Sequence, residues 1–476
     1  MKKIIILIVV LLLTISKDII AQNFGGCGTS DDTHDRYSSL LYNNTSDTWR
    51  KIRTPSYWIP NDSIPIKTIL VNWVICRDNN GQNGWQDCTD FRNQVELMFT
   101  RINEWYSNSL PKGYTLTCEP TYNHVTDTRI RFELNEIIFI NNTSFNESCY
   151  AGNILNYLFD NYPQSKKAMN HIFTMPPEPC RENNVWGYYS IFNNESYVHT
   201  YYSMYSDWFV VWNDHIEHIA HEYGHAVGQG HTYDSEITEI SHYDFLDDVF
   251  GLCAEQSCEQ DYSPTHVSYL TKDCFWEYQT PPFPLMSGNN INSRYISPKS
   301  AGRMHRALSL YDNSFSINNK PMHKYVKEKY PYELPLVINE DETWDFAIKM
   351  YQDIIIESNV TMTISGMIKM PINGKIIIKP GGKLIIDGGT ITNAHYEGMW
   401  QGIQVWGIDS LHQHLSNGKY LQGVLELKNG ATIENAVCAV DLWNPLDEHS
   451  EGYKHSELRS PYLPIICRPY RAIILT

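Results

Sequence analysis

Apolar positions along this chain fall into two textures. Between about Ile66 and Leu308, stretches that alternate with period two are interleaved with stretches of period near 3.6, the mark of strands mixed with helices. Ile66 to Cys76 (IKTILVNWVIC) predicts a central strand, apolar and β-branched almost throughout. Asp90 to about Ser107 predicts a helix capped by Thr89, because Phe91, Val95, Met98, Ile102 and Trp105 form one stripe. Arg129 to Ile140 alternates like a half-exposed strand, and Ile154 to Phe159 suggests another helix. Met169 to Met175 and Trp208 to Trp212 are further short apolar runs. The expectation is an α/β (α+β) domain over 65–310.

From Leu310 to Asp345 the composition shifts to Asn, Lys, Tyr and Pro and the periodicity fades, so 311–345 reads as a linker. Over 346–442 the runs become short and glycine-punctuated: Val360–Ile364, Lys375–Ile378, Lys383–Ile386, Thr390–Thr392, Gly402–Val405 and Val424–Leu427. None is long enough to bury its own face, so stacking in an all-β array is expected, with a β-sandwich as the alternative. Residues 443–476 lose the pattern and read as an irregular end.

The first 21 residues read as targeting. Lys2 and Lys3 precede an apolar run from Ile4 to Ile15, broken only by Thr14, and a more polar stretch ends at Ala21. That is the shape of a secretory signal, cleaved within a few residues of the Ala21–Gln22 bond, and too short for a membrane span. The implied location is secreted or cell-surface. Residues 22–64 then form a prosegment or N-terminal extension. Downstream, no apolar run approaches a membrane span.

Charge removes one class of partner. Acidic residues outnumber basic ones by 54 to 37, a net charge of −17, whereas nucleic acid is held by clustered Lys and Arg. Export makes disulfides permissible, and the eleven cysteines leave one thiol over if all the others pair.

One cluster carries chemistry. His221-Glu222-Tyr223-Gly224-His225-Ala226-Val227-Gly228-Gln229-Gly230-His231 fits H-E-x-x-H-x-x-G-x-x-H at every fixed position. Four residues apart on a helix, His221 and His225 lie one above the other and can share one metal. Glu222 sits beside the first ligand and can hold a water without itself ligating. Gly228 lets the helix stop and the chain turn, which brings back His231. Three nitrogen ligands with an open fourth position make a catalytic zinc site rather than a structural one. His215 and His218, on the same helix, read as packing or surface residues.

This motif resembles that of the metzincin zinc endopeptidases, most closely the pappalysin-like proteases of secreted bacterial type, over roughly Cys27 to Leu310. The resemblance implies a long active-site helix and a methionine turn beneath the metal, for which Pro284-Leu285-Met286-Ser287 supplies Met286. It implies peptide hydrolysis with Glu222 as general base and a protein or peptide substrate paired along a strand edge, for which Arg129 to Ile140 is the candidate. Several metzincins carry a tyrosine two residues after that methionine; here the position is Gly288, and Tyr295 is the candidate substitute. Gly25-Gly26-Cys27-Gly28-Thr29 resembles the cysteine switch of metzincin zymogens, with an ordinary disulfide as the other reading of Cys27. KIIIKPGGKLIIDGGTITNA and GVLELKNGATIENA resemble right-handed parallel β-helix modules, a candidate surface for glycan or cell-surface contact.

Asp244, Asp247 and Asp248 suit a calcium ion or, equally, a solvated acidic loop. The leading expectation is a secreted zinc endopeptidase. The alternative is a surface adhesin or glycan-binding protein with an inactive or secondary protease-like domain, and hydrolysis of a non-peptide amide is a third reading.

Overall fold

The computed structural model describes residues 26–27, 55–108, 125–177, 185–193, 195–201, 213–229, 283–286, 293–310, 321–327, 330–395, 397–408, 411–412, 416–443, 457–459 and 472–473. Its N-terminal part is a mixed sheet between two helical layers. Strands β2 (Lys67–Arg77), β3 (Ile130–Asn141), β4 (Met169–Thr174), β5 (Val185–Phe192) and β6 (Glu195–Tyr201) join with β1 (Gly26–Cys27) in the order β1-β5-β6-β4-β2-β3. The β2–β3, β2–β4 and β4–β6 pairs are parallel, and β5 runs antiparallel to β6.

Strand β2 shows why the central run is so apolar. Ile69, Val71, Trp73 and Ile75 face one core, while Val74 and Cys76 face another. Both faces of the strand are covered, so alternation gives way to a continuous apolar stretch. The first core is closed by α1 (Thr89–Ser107), whose Phe91, Val95, Met98, Ile102 and Trp105 are buried as the stripe requires. The second is closed by α3 (Gly152–Asn161), which follows the single turn α2 (Thr143–Asn146) and buries Ile154, Leu155 and Leu158. Two further helices back the first core: α4 (Asn213–Ala226) and α5 (Pro298–Ser309). The latter begins on Ser297, whose side chain accepts a hydrogen bond from the Ser300 amide at 3.0 Å, with Pro298 at its first turn.

The C-terminal part is a stack of three sheets whose strands pair in parallel, except for one antiparallel pair at the end of the chain. Its strands are β9 (Tyr332–Ile338), β10 (Glu342–Trp344), β11 (Ile348–Lys349), β12 (Gln352–Ile356), β13 (Thr361–Ile364), β14 (Met367–Met370), β15 (Lys375–Ile378), β16 (Lys383–Asp387), β17 (Thr390–Asn393), β18 (Gly402–Trp406), β19 (Val424–Lys428), β20 (Thr432–Ile433), β21 (Val440–Trp443), β22 (Glu457–Arg459) and β23 (Ala472–Ile473). Every third strand pairs, giving the sheets β9-β12-β15-β18-β21, β10-β13-β16-β19-β22 and β11-β14-β17-β20-β23. Like residues stack from coil to coil: Ile354 on Ile376 on Ile403, Ile364 on Ile386, Ile368 on Ile391 on Ile433, all with no exposed surface. The arrangement is compatible with the parallel β-helix expected from the sequence. Several of its turns use left-handed backbone, which Asn359, Asn373 and Asn429 among others supply at φ of 62°, 62° and 51°.

The stack starts earlier than the sequence pattern indicates. Strands β9 and β10 lie inside 311–345, the stretch read as linker, and the short 3-10 helix Pro321–Tyr325 lies there too. Met322, Tyr325 and Val326 belong to the core of the N-terminal part, as does Tyr351 from the stack. Tyr351 donates its hydroxyl to the Leu308 carbonyl at 2.6 Å, and the Lys327 amide donates to the Thr68 carbonyl at 2.7 Å. At the other end, read as irregular, β22 pairs with β19 and β23 with β20. No helix among the described residues is long and apolar enough to cross a membrane. Residues 1–21, read as a signal, lie outside the described residues.

Candidate active site

Helix α4 carries the histidine motif across the first core. It ends where Gly228 takes φ of +99°, the left-handed conformation expected there. Space demands glycine as well, since a β-carbon on Gly228 would stand 2.7 Å from that of Ala307 in α5. Gln229 then donates to the Ser300 carbonyl at 2.8 Å, tying the helix end to α5.

The two described histidines of the motif have their tautomers set by the backbone. His221 Nδ1 meets the Leu285 carbonyl at 2.9 Å and His225 Nδ1 meets the Gln229 carbonyl at 3.0 Å. A carbonyl only accepts, so each ring keeps its proton on Nδ1 and presents a lone pair at Nε2. The rings sit 4.8 Å apart, nearly perpendicular, and both are buried. Glu222, between them in sequence, has no exposed surface. This donor set fits a divalent metal of the zinc type: two imidazoles protonated at Nδ1 with a carboxylate alongside. His231 lies outside the described residues, and among the described residues no group of three metal-binding side chains is assembled.

Met286 lies under the helix. Its sulfur would be 2.6 Å from a β-carbon on Gly224, and its neighbour Leu285 supplies the carbonyl that orients His221. The Leu285 amide in turn donates to the Tyr295 carbonyl at 2.8 Å, where β7 (Phe283–Pro284) pairs with β8 (Ser293–Tyr295). Tyr295, the candidate for a missing tyrosine, is buried beside this turn.

The strand edge nearest the site is not the one expected. Strand β3, which contains most of Arg129 to Ile140, is the far edge of the sheet, across β2, β4 and β6 from β5. Edge position depends on the order in which crossovers place strands, which no local pattern reports. Helix α4 instead approaches β5: a β-carbon on Gly187 would lie 2.8 Å from His218 Nε2. His218, read as a packing or surface residue, lies half-buried at the junction of the helix and β5. Along the same edge β1 runs parallel to β5, with Gly26 opposite Val185 and Cys27 opposite Gly187.

The cysteine parity also changes. Cys76, Cys88 and Cys438 are present as thiols, so an odd total no longer singles out Cys27. The Cys27 side chain, Asp244, Asp247, Asp248 and Gly288 lie outside the described residues.

Behind α4 is a buried polar group that the sequence does not announce. The Tyr223 hydroxyl meets Trp73 Nε1 at 3.3 Å and His171 Nδ1 at 3.0 Å, and His171 Nε2 meets Thr200 Oγ1 at 2.8 Å. Desolvation holds the His171 pKa well below the ordinary histidine value, with His218 and His199 adding to it. Its only sequence trace is a histidine inside the apolar run Met169 to Met175.

Comparison with known families fits this geometry. Residues 70–272 match the model of metallo-peptidase family M12 (Reprolysin_5). The match supports a metzincin-like peptidase over that stretch, hence a peptide hydrolase acting on protein or peptide, and that family is in general zinc-dependent. It does not reach the stacked sheets and lends nothing to calcium. No curated protein matches the chain significantly.

Proposed function

We propose that this chain is a secreted zinc-dependent endopeptidase of the pappalysin-like kind, with His221, His225 and His231 holding the metal and a right-handed parallel β-helix module at its C-terminal side. The observation that carries the reading is the pair of imidazoles whose Nδ1 atoms are both held by carbonyls, flanking the fully buried Glu222 on a helix that ends at Gly228.

Zinc, when bound, supplies Lewis acidity that makes water acidic near neutral pH and takes up charge on the scissile carbonyl oxygen. Glu222 accepts the proton of the attacking water and returns it to the leaving nitrogen. Its burial excludes competing solvent, so the carboxylate meets the water in a low-dielectric pocket. Met286 gives the ligand-bearing turn of the helix an apolar floor. An extended substrate adds to the outer edge of β5 that β1 borders, where its backbone amides and carbonyls find partners whatever its side chains. Gly26–Cys27 takes part of that edge in the precursor, and Cys27 is the latent-state thiol.

The test is hydrolysis of casein or gelatin that stops with a chelator and returns with zinc. Glu222→Gln should keep the metal and lose nearly all activity. Activity that survives metal removal, or a zinc-loaded Glu222→Gln protein as active as the parent, would overturn the reading. A purified chain that binds glycan strongly and hydrolyses nothing would favour the adhesin.

A further inference from the structure

Glu222 and the metal-binding imidazoles can act only if α4 holds its rotation about its own axis. At 3.6 residues per turn, Tyr223 lies about 200° around the helix from His221. It therefore faces the sheet while the ligands face away from it. A rotation of about 10° would move the imidazole nitrogens by on the order of 1 Å, a displacement that costs a reaction about 100-fold. Apolar packing resists such rotation through shape alone, with no preferred donor–acceptor angle. A directional bond resists it strongly.

Tyr223 has such a bond, and it reaches three adjacent strands. Trp73 is on β2, His171 on β4 and Thr200 on β6, neighbours in the sheet order. Tyr223, Trp73 and His171 have no exposed surface, and Thr200 has 9%. The hydrogen bonds also have a direction. The indole can only donate, so it takes a lone pair of the Tyr223 oxygen. The hydroxyl proton then goes to His171 Nδ1, and Nε2–H donates to Thr200 Oγ1. The opposite tautomer would leave the Tyr223 proton without a described acceptor in a fully buried place. Thr200 Oγ1 and His218 Nε2 both border the position of a Gly187 β-carbon, at 3.0 and 2.8 Å, which places the far end of the chain of contacts near α4 one turn before the motif and beside β5.

We propose that Tyr223, His171 and Thr200 form a rotational key for the active-site helix: they are positioning residues that set where Glu222 and the Nε2 atoms of His221 and His225 point. The proposal rests on the zinc-peptidase reading. It does not follow from the motif, in which the position of Tyr223 is unspecified.

Tyr223→Phe keeps the ring and removes the key, and Thr200→Val removes the far end without changing shape. For Tyr223→Phe we expect kcat to fall at least tenfold with KM within about twofold, and zinc affinity, measured by chelator competition, to weaken roughly tenfold. Thr200→Val should shift both in the same direction by less. His171→Asn, whose amide can still meet the hydroxyl, should recover part of what His171→Val loses. A Tyr223→Phe protein with parental kcat and zinc affinity overturns the key while leaving the peptidase reading intact. Equal losses in His171→Asn and His171→Val, tracking thermal stability alone, overturn it as well. If Tyr223→Phe does not fold, Thr200→Val decides: parental kcat and zinc affinity overturn the proposal. A parental protein that binds no zinc sinks the reading beneath it.

Discussion

The sulfur of Met286 lies 2.6 Å from where a β-carbon on Gly224 would stand. The turn under the helix and the middle of the motif are therefore fitted to one another, and a side chain at 224 would force Met286 to shift, so glycine there serves room and not backbone conformation. Gly224→Ala should cost about 1–3 kcal/mol of stability, the usual range for overpacking a filled site. Met286→Ala in the same chain should restore part of it. Urea unfolding of the four proteins gives the coupling energy; strictly additive effects would show that the two residues do not oppose each other.

Acid should loosen the sheet through His199. Burial pushes its pKa down to about 3 from an ordinary 6.5, while Nε2 meets Thr174 Oγ1 at 2.8 Å and Nδ1 meets the Tyr188 hydroxyl at 2.9 Å. The folded pKa lies below the unfolded one, so the unfolded chain binds a proton that the folded one refuses. This stability is fully present above about pH 6.5 and is lost as pH falls toward 3. The urea midpoint should drop steadily over that interval, and the His199 ring should remain neutral in NMR spectra at pH 5. A charged ring at pH 5 in the folded protein would contradict this.

A chain ended after Leu310 should not fold stably. It would lack Met322, Tyr325, Val326 and Tyr351, each at most 4% exposed in the core it shares with α4. Removing one large buried side chain costs about 2–5 kcal/mol, against a total of about 5–15 kcal/mol for a typical protein. Expression as an insoluble or uncooperative fragment is expected; a soluble, zinc-binding product with a sharp unfolding transition would refute it.

Latency is tested at the edge strand. Cys27 lies opposite Gly187 on β5, the edge assigned above to substrate. Cys27→Ala should raise the activity of the untrimmed precursor severalfold. Equal low activity in both proteins, or peptide mass mapping that finds Cys27 in a disulfide, would remove the switch.

The sequence was most legible where one local pattern determines the outcome. Strands β13, β15, β16, β17, β18 and β19 match the expected runs within about a residue at each end, because inward residues alternate and turn residues mark the corners. The α1 stripe and the turn at Gly228 were readable for the same reason. Strand β9 was not: Pro335 and the 43–44% exposed Leu334 and Val337 make an outer strand look like a loop. The buried 3-10 helix was hidden because its partners are remote. Tyr325 bonds Glu195 at 2.5 Å and accepts from the Ser196 amide at 3.0 Å, both far back in the chain. The approach of α4 to β5 and the Tyr223–His171–Thr200 contacts belong to the same class, since sheet order brings together residues that share no local signal.

Tyr351 has a consequence for the order of events during synthesis. Ribosomes deliver a chain from its N-terminus, and N-terminal domains ordinarily settle while the rest is still being made. Here the first core waits for a residue that follows the motif by more than a hundred positions, seated beside Lys67 with its hydroxyl on Leu308. Contacts of such span close slowly. Until the first coil of the stack has been translated, the nascent chain carries the complete histidine motif on an unfinished core.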